Sequence, residues 1–163
     1  MRTRVLVVFL AGLVTGIAVT SAATQDRRLP GVNGVNHLAF VTPKYAEMLA
    51  FYTGVLGFPE AFTNRNAAGD PTLTYIQASR NTFIELMPAS AGRAAGFGHF
   101  GVHVDDVGAV AARLRERGLT VGDPRVIGSG SLTVAITDPD GNRIEISELP
   151  AGSPVRKAMD AWK

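Results

Sequence analysis

VNHLAFV (residues 35–41) and GHFGVHV (residues 98–104) decide the fold of this 163-residue chain. Both are apolar stretches that read as buried β-strands, and both carry a histidine inside. The chain has only three histidines, and two of them, His37 and His99, stand 62 positions apart at matched places. The match continues downstream, where FIEL (83–86) and RIEI (143–146) recur at an offset of 60. A strand, a helix and three further strands are expected at 35–88 and again at 97–149. Two copies of such a unit indicate a pseudo-symmetric domain, because a solenoid needs more. The expected class is α+β, built from two βαβββ modules.

Local signals fill in each copy. In the first, Thr42 is expected to cap a helix with Pro43 at its first position, where a missing N–H costs nothing. Ala46, Leu49, Ala50 and Leu56 recur at helical spacing, Gly57 closes the segment, and Phe51, Leu56 and Phe58 read as packing residues. In the second, Asp105 or Asp106 is the expected cap, with Val107, Val110, Ala111 and Leu114 facing the core. LTVGDPRV (119–126), SLTVAIT (131–137) and RIEISEL (143–149) read as strands, the last two joined by DPDGN with Gly141 free to take positive φ. Residues 150–163 form a tail helix with Ser153 capping and Pro154 first. Its Val155, Met159 and Trp162 are expected to pack on the domain or on a partner chain.

The N-terminus is a separate matter. Arg2 and Arg4 precede an apolar run of about 15 residues, followed by Ser21, Ala22 and Ala23. That is the pattern of a secretory signal with cleavage after Ala22 or Ala23, and the run is short of the roughly 20 residues that span a bilayer. Residues 1–23 are therefore expected to be a signal peptide, 24–34 a linker, and the protein exported to a periplasmic or extracellular location, with no membrane partner once the signal is removed. Without Arg2 and Arg4 the sixteen basic residues fall to fourteen, equal to the fourteen acidic ones. Such a balance gives no sign of a nucleic-acid partner. The chain has no cysteine, which excludes disulfides, thiol chemistry and a lipid-modified N-terminus.

The two modules supply chemistry in duplicate. His37 precedes Glu85 by 48 residues, and His99 precedes Glu145 by 46. By strand alternation Val35, His37, Ala39 and Val41 share one face, with Leu38 and Phe40 on the other. Glu85 stands between Ile84 and Leu86, and Glu145 between Ile144 and Ile146. An ionised carboxylate in such a run is costly unless compensated, and a divalent cation compensates it. Two imidazoles and two carboxylates suit zinc, nickel, iron, cobalt or manganese and leave positions open for exchangeable water. His103 shares a face with His99 by alternation and is read as polar or structural. Arg65, Arg80, Arg93, Arg125 and Arg143 are read as solvated surface charges.

NHLAFV, FYTGVLGF, FIELMP, GHFGVHVDDV and DPDGNRIEI together resemble the vicinal oxygen chelate superfamily of glyoxalase, bleomycin-resistance and extradiol dioxygenase proteins, over about residues 34–149. The resemblance implies paired βαβββ modules wrapping a cup-shaped mixed sheet around one metal ion, with His37, Glu85, His99 and Glu145 as its ligands. Extradiol dioxygenases of this kind do not use the position matching Glu85, and bleomycin-binding members lack the set. The complete set therefore implies a metal-dependent lyase or isomerase. It would act on a small oxygenated substrate through an enediolate-type intermediate, with Glu145 or Glu85 as the proton-transferring base. A ring-cleaving dioxygenase and a non-catalytic small-molecule binding protein are the alternative readings. A homodimer is a further expectation from the resemblance.

Overall fold

The structure is a computed structural model and describes residues 28–163. The expected signal peptide and the first residues of the linker lie outside the described residues. Among the described residues no helix is long and apolar enough to cross a membrane.

Eight strands form one sheet in the order β2-β3-β4-β1-β5-β8-β7-β6. The first module contributes β1 (Val32–Thr42), β2 (Glu60–Arg65), β3 (Pro71–Ser79) and β4 (Thr82–Pro88). The second contributes β5 (Gly96–Val104), β6 (Arg125–Val126), β7 (Leu132–Thr137) and β8 (Arg143–Glu148). Each half runs outward from the middle in the same internal order. β1 pairs parallel with β4, β5 pairs parallel with β8, and the two halves meet where β1 runs antiparallel to β5. The duplicated sequence thus becomes a sheet with its pseudo-twofold between β1 and β5, and one chain holds both modules.

The register at that junction makes room for the histidines. His37 lies opposite Gly101, and His99 lies opposite Ala39, so each imidazole faces a minimal side chain of the other module. A Cβ built on Gly101 would overlap the His37 ring. One residue departs from simple alternation. The β1–β5 register shifts between Val35 and His37, a bulge that turns Asn36 inward and leaves Val35 50% exposed. Val35 therefore does not share the face of His37, contrary to the alternation expected from sequence.

The three helices do different jobs. Helix α2 (Val107–Glu116) is capped by Asp106, whose side chain accepts from the Ala109 N–H, and it buries Val107, Val110, Ala111 and Leu114 against Val134 and Ile146 of the sheet. Its counterpart α1 (Tyr45–Ala50) runs into a π-helical segment, Phe51–Val55, and buries no residue. Phe51 and Leu56 are exposed and only Phe58 is half-buried, so the expected packing role of FYTGVLGF fails: six α-helical residues offer too little apolar stripe to cover a sheet. The expected cap is also displaced. Thr42 belongs to β1, and its Oγ1 accepts from Lys44 N–H in a turn; Lys44 occupies the cap position without a side-chain bond. LTVGDPRV contributes only Arg125–Val126 as strand, its Gly- and Pro-bearing part running as loop.

Helix α3 (Pro154–Ala161) starts as expected, with Ser153 capping through the Arg156 N–H and Pro154 in its first turn. Its Val155 and Met159 pack on Tyr75 and Phe83 of the first module, and Gln77 Nε2 donates to the Ala158 carbonyl. Trp162 follows the helix and is partly exposed. Tyr75 pairs with Glu85 and Phe83 with His37, so α3 covers the same sheet face that carries the duplicated residues.

Candidate metal centre

The four central strands bring His37, Glu85, His99 and Glu145 together in the interior. The two Nε2 atoms of His37 and His99 lie 3.1 Å apart, with the rings edge-to-face. Glu85 Oε2 lies 3.6 Å from His37 Nε2 and 3.3 Å from His99 Nε2. Glu145 Oε2 lies 3.8 Å and 3.6 Å from the same two atoms. His37, Glu85 and His99 alone form a group able to hold a metal ion, with one ligand atom from each within 4.8 Å of the others. Glu145 faces the two imidazoles from outside that group.

Neighbouring residues fix how each member is presented. Asn36 Nδ2 donates to the Asn81 carbonyl, which turns its Oδ1 toward His37 Nδ1 at 3.2 Å. An amide oxygen only accepts, so Nδ1 carries the proton and Nε2 offers its lone pair to the centre. Burial lowers the His37 pKa, with the neighbouring His99 acting in the same direction against the two carboxylates, and this keeps the ring neutral. Tyr75 donates its phenol to Glu85 Oε2 at 3.1 Å, stacks on Phe62 and packs against Phe83. Burial, then the charges of Glu85 and Glu145, raise the Tyr75 pKa well above 10, so the phenol stays protonated. Burial pushes the Glu85 pKa up, but hydrogen bonding to His99, the charges of His37 and His99 and the Tyr75 bond outweigh it and leave the carboxyl below its ordinary value.

Glu145 is held differently. Arg143, whose side chain is 43% exposed, donates from Nη2 to Oε1 at 2.8 Å. The other oxygen, Oε2, is buried and has no hydrogen-bond partner among the described residues. An orphaned carboxylate oxygen aimed at two imidazole Nε2 atoms is the feature a cation would satisfy. Two imidazoles and two carboxylates suit a divalent ion. Ligand atoms about 2.0–2.2 Å from one cation stand about 3–3.5 Å apart. The His37–His99 and Glu85–His99 separations match this, while Glu145 stands slightly farther off at 3.6–3.8 Å.

The four residues singled out by the repeat are therefore adjacent in space, while His103 is not among them. It is half-buried beside Arg80, Asp105 and Arg156 in a separate polar recess, where burial first and Arg156 second lower its pKa. Arg143 is the surface-read arginine that proves otherwise. Its place two residues before Glu145 on one strand was a usable signal, since alternation puts both on the same face. Tyr75 and Asn36 carried no comparable mark in the sequence: one reads as a core aromatic, the other depends on a bulge.

A single-chain cup of two βαβββ modules enclosing a His/Glu cluster defines a class of protein. The chain belongs to the Glyoxalase/Bleomycin resistance protein/Dioxygenase superfamily, which it matches over residues 34–146. It is 31% identical to a 2-epi-5-epi-valiolone epimerase from Actinomyces sp. over 82% of this chain and 89% of that protein. It is 28% identical to a probable chloroplastic lactoylglutathione lyase from Arabidopsis thaliana over 91% of this chain, which spans 46% of that longer protein. Among solved structures, methylmalonyl-CoA epimerase from Mycobacterium tuberculosis shares the fold, with a TM-score of 0.63 at 21% identity, covering 78% of this chain and 95% of that one.

Proposed function

We propose that this protein is a metal-dependent lyase or isomerase of the glyoxalase-like kind, acting on a small oxygenated molecule. His37, Glu85, His99 and Glu145 would hold one divalent ion, and one of the two glutamates would carry the proton. The observation that carries this reading is the buried, unpartnered Glu145 Oε2 facing both imidazoles. The relatives named as an epimerase and a probable lyase support the same kind of chemistry. A bound cation would polarise the substrate's oxygens and acidify the adjacent C–H. The chain's own part is positional. His37 and His99 present ring nitrogens, Tyr75 steadies Glu85, and Arg143 steadies Glu145 from the solvent side. A carboxylate so placed takes a proton from the substrate carbon and returns it on a neighbouring carbon or the opposite face.

All four of these residues belong to one chain, which supports a centre built from a single copy. A homodimer remains part of this reading, supported by the exposed apolar residues Phe51, Val55 and Leu56 beside the short first helix. Export, with removal of residues 1–23, likewise remains part of it, supported by the N-terminal sequence pattern. The test is proton exchange. Metal-loaded protein in D2O, offered a panel of 2-hydroxy ketones and thiol adducts of 2-oxoaldehydes, is expected to wash deuterium into the carbon next to the carbonyl. Glu85→Gln or Glu145→Gln should slow this by about 100-fold or more. Dioxygen uptake with catechols and no exchange would replace the reading with ring cleavage.

A further inference from the structure

The two halves of the cup are lined differently. Beside Glu85 stand Tyr75 and Phe83, both buried, with Val155 and Met159 of α3 packed over them. Sixty positions later the equivalent residues are Ala135, directly opposite Glu145, and Arg143. A small side chain and a cation replace two aromatic rings. What opens there is a recess of about 180 Å³ whose lining includes Arg125, Arg143, Asp123, Thr133 and Ala135.

The charges of this recess are unevenly committed. Asp123 Oδ1 already accepts from Arg115 Nη2 at 2.9 Å. The Arg125 side chain takes no hydrogen bond or ion pair among the described residues. Arg143 uses Nη2 on Glu145, while among the described residues the rest of its five-donor fork is unspent and its side chain reaches solvent. Once a divalent ion balances the two carboxylates, both arginines remain as net positive charge along one wall.

We propose that this recess is an oxyanion subsite: Arg125 and Arg143 receive a carboxylate or phosphate group of the substrate, whose oxygenated carbons then reach the four-residue centre. The proposal rests on the lyase or isomerase reading and narrows its substrate to a small anionic molecule. Planar guanidinium groups match such oxyanions through paired N–H donors. Arg143 joins the two functions, since one of its nitrogens already fixes Glu145.

Inorganic sulfate, a weak ligand for metals, is the probe. Arginine Nε–H NMR signals of zinc-loaded and metal-free protein are followed as sulfate is added, with metal content measured on the same samples. The expected result is a saturable shift of the Arg125 and Arg143 signals, with binding weakened about 10-fold or more in Arg125→Gln and Arg143→Gln and unchanged in Arg80→Gln. Ala135→Leu keeps both arginines and fills the recess, and it should abolish binding even if Arg143→Gln disturbs the fold. Sulfate held by metal alone, indifferent to these substitutions, would overturn the subsite, as would unsaturable shifts of all exposed arginines. Saturable binding in a protein that takes up no metal would leave the subsite standing and remove the lyase reading. Metal uptake without sulfate binding would do the reverse.

Discussion

In the first module His37 and Glu85 are enclosed: Asn36 and Asn81 orient one, Tyr75 holds the other, and α3 seals the aromatic layer around them. In the second module His99 and Glu145 have no such shell among the described residues. Their glutamate is tied instead to a half-exposed arginine, and Ala135 stands where Tyr75 stands in the first half. The His37 and His99 side chains are 3% and 10% exposed and both glutamates 7%, so all four are buried. A duplicated half-site has thus diverged into an aromatic wall and an arginine-bearing one. The two copies must be alike where ligand atoms converge and are free to differ one residue away, which is where a substrate would be recognised.

Substitutions can break or sharpen that contrast. The largest effect is expected from Tyr75→Ala, which empties the packed side of the cup and should cost about 3–5 kcal/mol of stability in urea unfolding. Arg143→Ala, at the equivalent distance from its own glutamate, should cost less, about 1–3 kcal/mol, because the side chain is 43% exposed but its removal leaves the buried Glu145 carboxylate without its hydrogen bond. Equal losses would erase the distinction between the halves. Gly101→Ala should come next, at about 1–3 kcal/mol, since the added methyl must displace the His37 ring. Ala39→Gly at the pseudo-equivalent place only removes a methyl, and a similar or larger loss there would contradict the account of the junction. Asn36→Ala should leave the fold intact and weaken metal binding about 10-fold or more, as loss of an orienting partner does. The smallest change belongs to Phe51→Ser, within about 0.5 kcal/mol, because that ring is 48% exposed.

Much of this architecture is legible in the sequence because repetition removes ambiguity. A lone strand histidine carries little information, but His37 and His99 at offset 62, with Glu85 and Glu145 at offset 60, mark one site written twice. Caps at Asp106 and Ser153 and the Gly141 turn, with φ at 88°, are legible for local reasons, since each satisfies backbone groups within a few residues. What escapes is set by contacts between distant segments. The bulge at Asn36 arises from β1 meeting β5, so alternation along β1 alone puts Val35 on the wrong face. The first helix has the right period and too little length to bury it, which leaves Phe51 and Leu56 in solvent. Tyr75 reads as any core aromatic until its phenol is seen on Glu85. Comparing the copies residue by residue does flag the place, because Tyr75 and Phe83 answer to Ala135 and Arg143.

The most direct test is the metal content of protein purified without chelator, measured beside His99→Ala and Glu145→Gln. The account predicts about one divalent transition metal per chain, with affinity reduced more than about 100-fold in both variants, beyond what an orienting partner alone is worth. A wild-type protein that holds no metal even after reloading, or variants that bind it as tightly, would contradict the claim that the duplicated His and Glu residues form one metal centre.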